Sequence, residues 1–314
     1  MVRRVVTVVQ VTATDGVDLA VNEAGPSDAP TIVCVHGYPD NSSAWDGVVA
    51  ELSGRYHVVT YDVRGAGRSG KPAQRQAYRL DQLAADLRAV VDAVSPDRAV
   101  HLLAHDWGSI QSWHAVTGQQ LAGRVASYTS VSGPSLDHTA YWMRSALRPG
   151  GARLRDVARQ LAESAYILLF TIPVLPEWLW RTGVLDRGLA AASTIGRGSA
   201  ASSGGDPPAR TLADKINGLQ LYRANMPHRL RRPQPRRTDV PVQVLAPTRD
   251  VFVSPALQIG APAPWASDLR VREIAGGHWV IGTRPDVIAR HTSELIKHVE
   301  HGAVDPAADR SYER

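Results

Sequence analysis

From residue 31 onward, short apolar runs alternate with stretches in which apolar residues recur every three or four positions. The runs are "TIVCVHG" (31–37), "YHVVTYD" (56–62), "AVHLLAHD" (99–106), "VASYTSVSG" (125–133), "PVQVLAPTRD" (241–250) and "LRVREIAGG" (269–277). Near-continuous apolar runs of this length suit strands buried on both faces. Their alternation with helical patterns predicts a mostly parallel sheet flanked by helices. In residues 78–95, Leu80, Leu83, Leu87, Val90 and Val91 fall on one face of a helix. Residues 286–300 read as the last helix. Ahead of residue 31, valines alternate with polar residues around Asp15-Gly16, which reads as a hairpin.

The rhythm stops after Gly133 and resumes at Val240. Between them lie helical pieces such as "LRDVARQLAESAYILLF" (154–170) and "RTLADKINGLQLYRAN" (210–225), and a low-complexity stretch, "GRGSAASSGGDPPAR" (196–210), that reads as a mobile loop. The expected organisation is a core made of residues 1–133 and 236–314, with a helical cap of residues 134–235 inserted after the sixth strand. Such an insertion would form a lid over the C-terminal edge of the sheet, where open α/β sheets keep their sites.

Composition changes this picture little. At 314 residues, 44% hydrophobic and 21% charged, the chain has the make-up of an ordinary globular protein. No run approaches the ~18 apolar residues of a membrane span, and the N-terminus lacks a signal-peptide pattern. A cytoplasmic protein without membrane partners is expected. The net charge is +5, carried mostly by arginine, with Lys71, Lys215 and Lys297 the only lysines. The densest basic stretch, "RLRRPQPRR" (229–237), is broken by prolines and has no aromatic residue. It reads as a solvated connector, not a nucleic-acid surface. The single cysteine, Cys34, lies inside an apolar run and reads as a small core residue.

Three strand ends carry the candidate chemistry. The segment "LLAHDWGSIQSW" (102–113) runs from an apolar strand through a small residue, Asp106 and Gly108 into a helical pattern. That is the outline of a nucleophile elbow, with a carboxylate where Ser is usual. Asp106 alone could equally be a helix N-cap. Asp250 in "LAPTRDVFVSP" and His278 in "IAGGHWV" follow the last two strands. Elbow residue, acid and histidine stand in the chain order of an α/β-hydrolase catalytic triad. "HGYPD" (36–40) follows the first long strand, where an oxyanion hole takes its second amide, so the amides of Tyr38 and Trp107 are the candidate donors. His36, Pro39, Phe252 and Trp279, adjacent to these residues, are candidate walls of the substrate pocket. Two other patterns are set aside. Gly65, Gly67 and Gly70 match G-x-G-x-x-G, but Lys71-Pro72 follows instead of a helix. His101 and His105 share a strand and lack the Glu of a zinc-binding helix, so no metal is expected.

With "HGYPD", "HDWGS", Asp250 and "GHWV" together, the chain resembles the epoxide hydrolases of the α/β-hydrolase fold over nearly its whole length. Within them it is similar to the hydrolase half of actinobacterial proteins that continue into a short-chain dehydrogenase domain; a truncated or stand-alone bacterial version is expected. The resemblance implies that Asp106 is the nucleophile, that Asp250 and His278 activate water, and that two lid tyrosines hold the epoxide oxygen. "YILLF" places the first at Tyr166 and "LYRAN" the second at Tyr222. It also implies a cis Tyr38–Pro39 bond and no cofactor. Ala104 departs from the glycine often found at its elbow position. The expected partners are a small epoxide and water; a homodimer is left open. Two alternatives stand beside this reading. Haloalkane dehalogenases share the Asp elbow and the following Trp, but many carry Asn where this chain has Tyr38. A hydrolase-fold binding protein without turnover is the other. Ser109 lies three residues past the apex, which disfavours a serine esterase.

Overall fold

The computed structural model describes residues 7–195 and 210–302. In chain order the first elements are β1 (Thr7–Thr12), β2 (Asp18–Ala24), β3 (Thr31–Val35), α1 (Asp46–Leu52), β4 (His57–Tyr61), α2 (Leu80–Val94), β5 (Val100–His105), α3 (Trp107–Val116) and β6 (Val125–Val131). Six helices follow: α4 (Leu136–Ser145), α5 (Leu154–Glu163), α6 (Tyr166–Thr171), α7 (Leu175–Arg181), α8 (Val184–Ile195) and α9 (Leu212–Arg231). The chain then returns through β7 (Val242–Pro247), α10 (Pro255–Gly260), β8 (Leu269–Ile274), α11 (Val280–Thr283) and α12 (Pro285–His301).

The strands form one eight-stranded sheet in the order β1-β2-β4-β3-β5-β6-β7-β8. β1 and β2 pair antiparallel with each other, β2 also pairs antiparallel with β4, and the remaining pairings are parallel. β3, β4 and β5 are buried at every position, which is why they read as mostly apolar runs instead of alternating. The Asp15-Gly16 pair lies in the connection between β1 and β2, with Gly16 at φ 81°. On α2 the five residues of the predicted apolar face are all buried. Cys34 is wholly buried in β3, and that burial pushes its thiol well above the ordinary range.

The long stretch between β6 and β7 is helical among the described residues, and two details differ from the sequence pattern. The single helix read over 154–170 is two, because bonding tightens at the join: Ala165 N–H donates to Ala162 and Ile167 N–H to Ser164, an i→i+3 pattern. The helix read to Asn225 runs on to Arg231 through Pro227. The basic stretch also departs from a solvated connector. Arg229 is buried, and with Arg236 it flanks the buried carboxylate of Asp137 at 3.7 and 3.4 Å. A buried acid needs such partners, and nothing in the local pattern marks which arginines it takes. The low-complexity residues 196–209 lie outside the described residues.

Candidate active site

The parallel strands β3, β5, β7 and β8 all end at one edge of the sheet, and the four candidate motifs lie just past those ends. Asp106 sits between β5 and α3 at φ 51° and ψ −123°, a conformation that costs a non-glycine residue on the order of 1–3 kcal/mol. Small neighbours make room for it. A Cβ on Gly108 would meet the Val35 carbonyl oxygen at 2.1 Å, one on Gly133 the Asp106 carbonyl oxygen at 2.1 Å, and one on Gly37 the Asp106 carboxylate at 2.3 Å. Asp106 precedes α3 but makes no side-chain cap bond to it. Its Oδ1 instead accepts the Tyr38 amide at 2.7 Å, and its Oδ2 lies 3.6 Å from His278 Nε2. The helix-cap alternative therefore does not describe this side chain.

His278 is held from its other face. Its Nδ1 is 3.1 and 3.0 Å from the two oxygens of Asp250. Asp250 is buried and accepts the amides of Phe252 and Val253 at 2.9 and 3.0 Å. Its burial opposes ionisation, but the His278 charge and these hydrogen bonds hold its pKa below the usual carboxylate value. Burial likewise works against a charged His278. The Asp250 charge and hydrogen bonds, with the Asp106 carboxylate 3.6 Å from the other ring nitrogen, outweigh it and raise the imidazole to about 10. Both acidic neighbours therefore favour the protonated imidazole.

The two tyrosines from the helices after β6 converge on this centre. Their ring centroids are 6.3 Å apart. Tyr222 meets Trp107 edge-on at 4.9 Å and Tyr38 at 5.4 Å, while Tyr166 meets Phe252 at 5.4 Å. Burial, reinforced by the nearby Asp106 charge, pushes both phenols above their ordinary pKa. They are neutral donors at neutral pH. Phe252 and Trp279 pack on the His278 ring at 5.0 Å each.

The "HGYPD" turn has the expected cis Tyr38–Pro39 bond. His36 differs from a simple pocket wall. Its Nε2 accepts the Val63 amide at 2.9 Å, so Nδ1 carries the proton and donates to the Gly37 carbonyl at 2.9 Å. It fixes the turn that aims the Tyr38 amide. His36, Tyr38, Pro39 and Trp107 line a cavity of about 20 Å³, room for a water molecule. Ser109 faces away, bonded to Tyr128 and Ser130 at 2.6 and 2.7 Å.

Three supporting residues had no sequence signal. Gln160 of α5 donates to the Phe252 carbonyl and accepts the Ser254 amide, so a helix after β6 grips the Asp250 loop. Gln258 of α10 donates to Asp250 Oδ2 at 3.3 Å and accepts the Ser132 amide. His105, set aside as half of a false zinc pair, donates from Nε2 to the His278 carbonyl at 2.8 Å; burial and the neighbouring His278 charge lower its pKa to about 4. Gln160 and His105 lie far in sequence from what they support, and Gln258 ties the nearby Asp250 to the distant Ser132. The glycine loop has a different use: the Gly67 amide donates to Asp214 of α9 at 2.8 Å. Among the described residues no cluster of His, Cys, Asp and Glu could hold a metal ion.

A family model described as the alpha/beta hydrolase fold matches residues 30–285, and the chain belongs to that family. Its relatives are epoxide-hydrolase-like. The Mycobacterium tuberculosis protein named "Probable oxidoreductase EphD" is 37% identical over 289 residues, which is 88% of this chain and 47% of that protein. The chain thus spans about half the length of the curated relatives it matches. "Epoxide hydrolase A" of the same organism is 39% identical over 124 residues, 39% of this chain and 38% of the relative. Among solved structures, an epoxide hydrolase of Bacillus megaterium has a TM-score of 0.72 at 19% identity, covering 93% of this chain and 100% of that one. At that identity the likeness speaks to the fold alone.

Proposed function

We propose that this chain hydrolyses epoxides to vicinal diols through a covalent ester on Asp106. The observation that carries the reading is what surrounds that carboxylate: the His278–Asp250 pair, and two phenols, buried Tyr222 and half-buried Tyr166, that its charge reaches. Residues 134–235 are the cap that brings the phenols there and excludes bulk water.

The residue types support each step. Asp106 attacks a strained ring carbon, forming a carbon–oxygen ester bond as the ring C–O bond breaks. The departing alkoxide takes a proton from the tyrosine pair, and the imidazolium proton of His278 replaces the one they lost. Esterification removes the negative charge of Asp106, one of the two groups that hold the proton on His278. Neutral His278, oriented by Asp250, then takes a proton from water. The hydroxide adds to the ester carbonyl, with the amides of Tyr38 and Trp107 facing the oxyanion. Collapse releases the diol, the Asp106 carboxylate and a protonated His278, the resting arrangement.

The test is a single turnover in ¹⁸O-labelled water with enzyme in excess. The first diol should be mostly unlabelled and the label should enter Asp106. His278→Gln should accumulate an adduct of one substrate mass on the peptide holding Asp106, because the base of the second step is missing. Label in the first diol, with no adduct, would mean direct attack by water and sink the ester. Halide release from a haloalkane panel without diol formation from epoxides would favour the dehalogenase reading.

A further inference from the structure

Nine of the twelve large apolar side chains exposed among the described residues lie between Leu147 and Val184. The densest group runs from α6 into α7: Leu168, Ile172, Val174, Leu175 and Trp178, with Val174 72% and Trp178 55% exposed. At its tip the backbone is strained. Val174 has φ 70° and ψ −45°, and the Leu175 amide donates to the Pro173 carbonyl at 2.8 Å, a γ-turn of the rare positive-φ kind. For a β-branched residue this is an outlier, and the side chain it presents points to water, so packing does not account for it.

Within this segment the charge left over is positive. From Ser164 to Val184 the only charged residues are Glu177 and Arg181. The Glu177 carboxylate is engaged by the guanidinium of Arg223 at 2.6 and 3.0 Å, while Arg181 is exposed. We propose that this edge docks on an anionic lipid surface, with the aliphatic tips among the acyl chains and Trp178 and Arg181 at headgroup level. Pairing with a second copy is the weaker fit, since a two-fold interface would bring the same positive charge in twice without a negative partner. No helix among the described residues is long and apolar enough to cross a membrane, which bears on crossing and not on surface contact. The same short helix turns Tyr166 toward the site and Leu168 toward solvent. If the epoxide reading holds, docking sets the cap against the phase in which an apolar epoxide dissolves. The docking itself does not rest on that reading.

Flotation of the chain with vesicles of phosphatidylcholine, or of equimolar phosphatidylcholine and phosphatidylglycerol, tests it. The chain should rise with the anionic vesicles and much less with the neutral ones. The triple change Val174→Ser, Leu175→Ser, Trp178→Ser should weaken binding by more than about ten-fold, with an unchanged circular-dichroism melt. Arg181→Gln should weaken it by about five-fold. If the triple variant does not fold, tryptophan quenching by bilayers with brominated acyl chains decides, with quenching expected in the parent and reduced in Trp178→Phe. No binding by the parent, a triple variant that floats like it, or equal quenching in parent and Trp178→Phe would overturn the proposal. So would a parent dimer that the triple change converts to a monomer, which would make the edge an interface between copies.

Discussion

Asp250 and Asp106 favour an extra proton on His278, raising its imidazole to about 10 against 6.5 for an ordinary one. The stabilisation from that extra proton is complete below pH 6.5 and is lost as pH rises through 10, by an amount on the order of a few kcal/mol. The melting temperature of the parent should therefore fall across this window, and that of His278→Gln should fall less. Equal slopes in the two would place the proton elsewhere. Asp250 contributes at the other end, because its lowered pKa gives stability that is present above 3.8 and lost as pH falls through the folded value. The tyrosines make a separate forecast about rate. Tyr166→Phe or Tyr222→Phe should slow epoxide opening by up to about 10²-fold, and the double change by about 10⁴-fold. Stopped-flow measurement of the opening step checks this, and full activity in the double variant would mean another group protonates the alkoxide.

At the scale of elements, the strand-to-helix turn at Asp106 depends on how closely β3 approaches the start of α3. Gly108→Ala would place a Cβ 2.1 Å from the Val35 carbonyl oxygen and 2.5 Å from that of His36. Backbone cannot step aside as a side chain does, so the change should destabilise by about 3 kcal/mol or more. Gly188 of α8 has nothing within 4 Å of its added Cβ, and Gly188→Ala should be neutral or stabilise by up to ~1 kcal/mol through helix propensity. Urea midpoints for the two variants, moving in opposite directions or only the first moving, check the contrast. The small residue at 108 was legible from the elbow pattern. The break of the 154–170 helix was not, because apolar spacing runs through the join while the bonding changes beneath it.

Across the whole molecule, the geometry above Asp106 depends on how α9 rests on the core. Asn225 is the main fastener. Its Oδ1 accepts the Leu80 amide at 2.9 Å and its Nδ2 donates to the Tyr78 carbonyl at 2.8 Å. It lies one turn beyond Tyr222. Asn225→Leu should leave both backbone groups buried without a partner, costing ~1–3 kcal/mol, and should lower kcat more than it raises KM as Tyr222 loses its fixed position. Steady-state kinetics beside a urea titration would show it; unchanged kcat with lowered stability would limit Asn225 to holding the fold.

The sequence by itself determined the eight strands, the parallel character of the six that follow the hairpin, and the chain order of Asp106, Asp250 and His278. These follow from local periodicity and from turns whose residue types are set nearby, as at Gly108 and the Asp15-Gly16 hairpin. Tyr166 and Tyr222 came from resemblance, not from spacing. Tertiary structure alone decided what meets across long separations. Gln160 was one polar residue in an amphipathic helix until folding set it against the Asp250 loop, and Arg229 was one of five arginines in a basic stretch until the buried Asp137 took it. The unusual pKa of His278 has the same origin. It arises because the carboxylates of Asp106 and Asp250 arrive within 3.6 and 3.0 Å of the two His278 ring nitrogens in a site shielded from water, where charge interactions are strong. Periodicity reports which face of an element is buried, but not which distant polar group waits there to be satisfied.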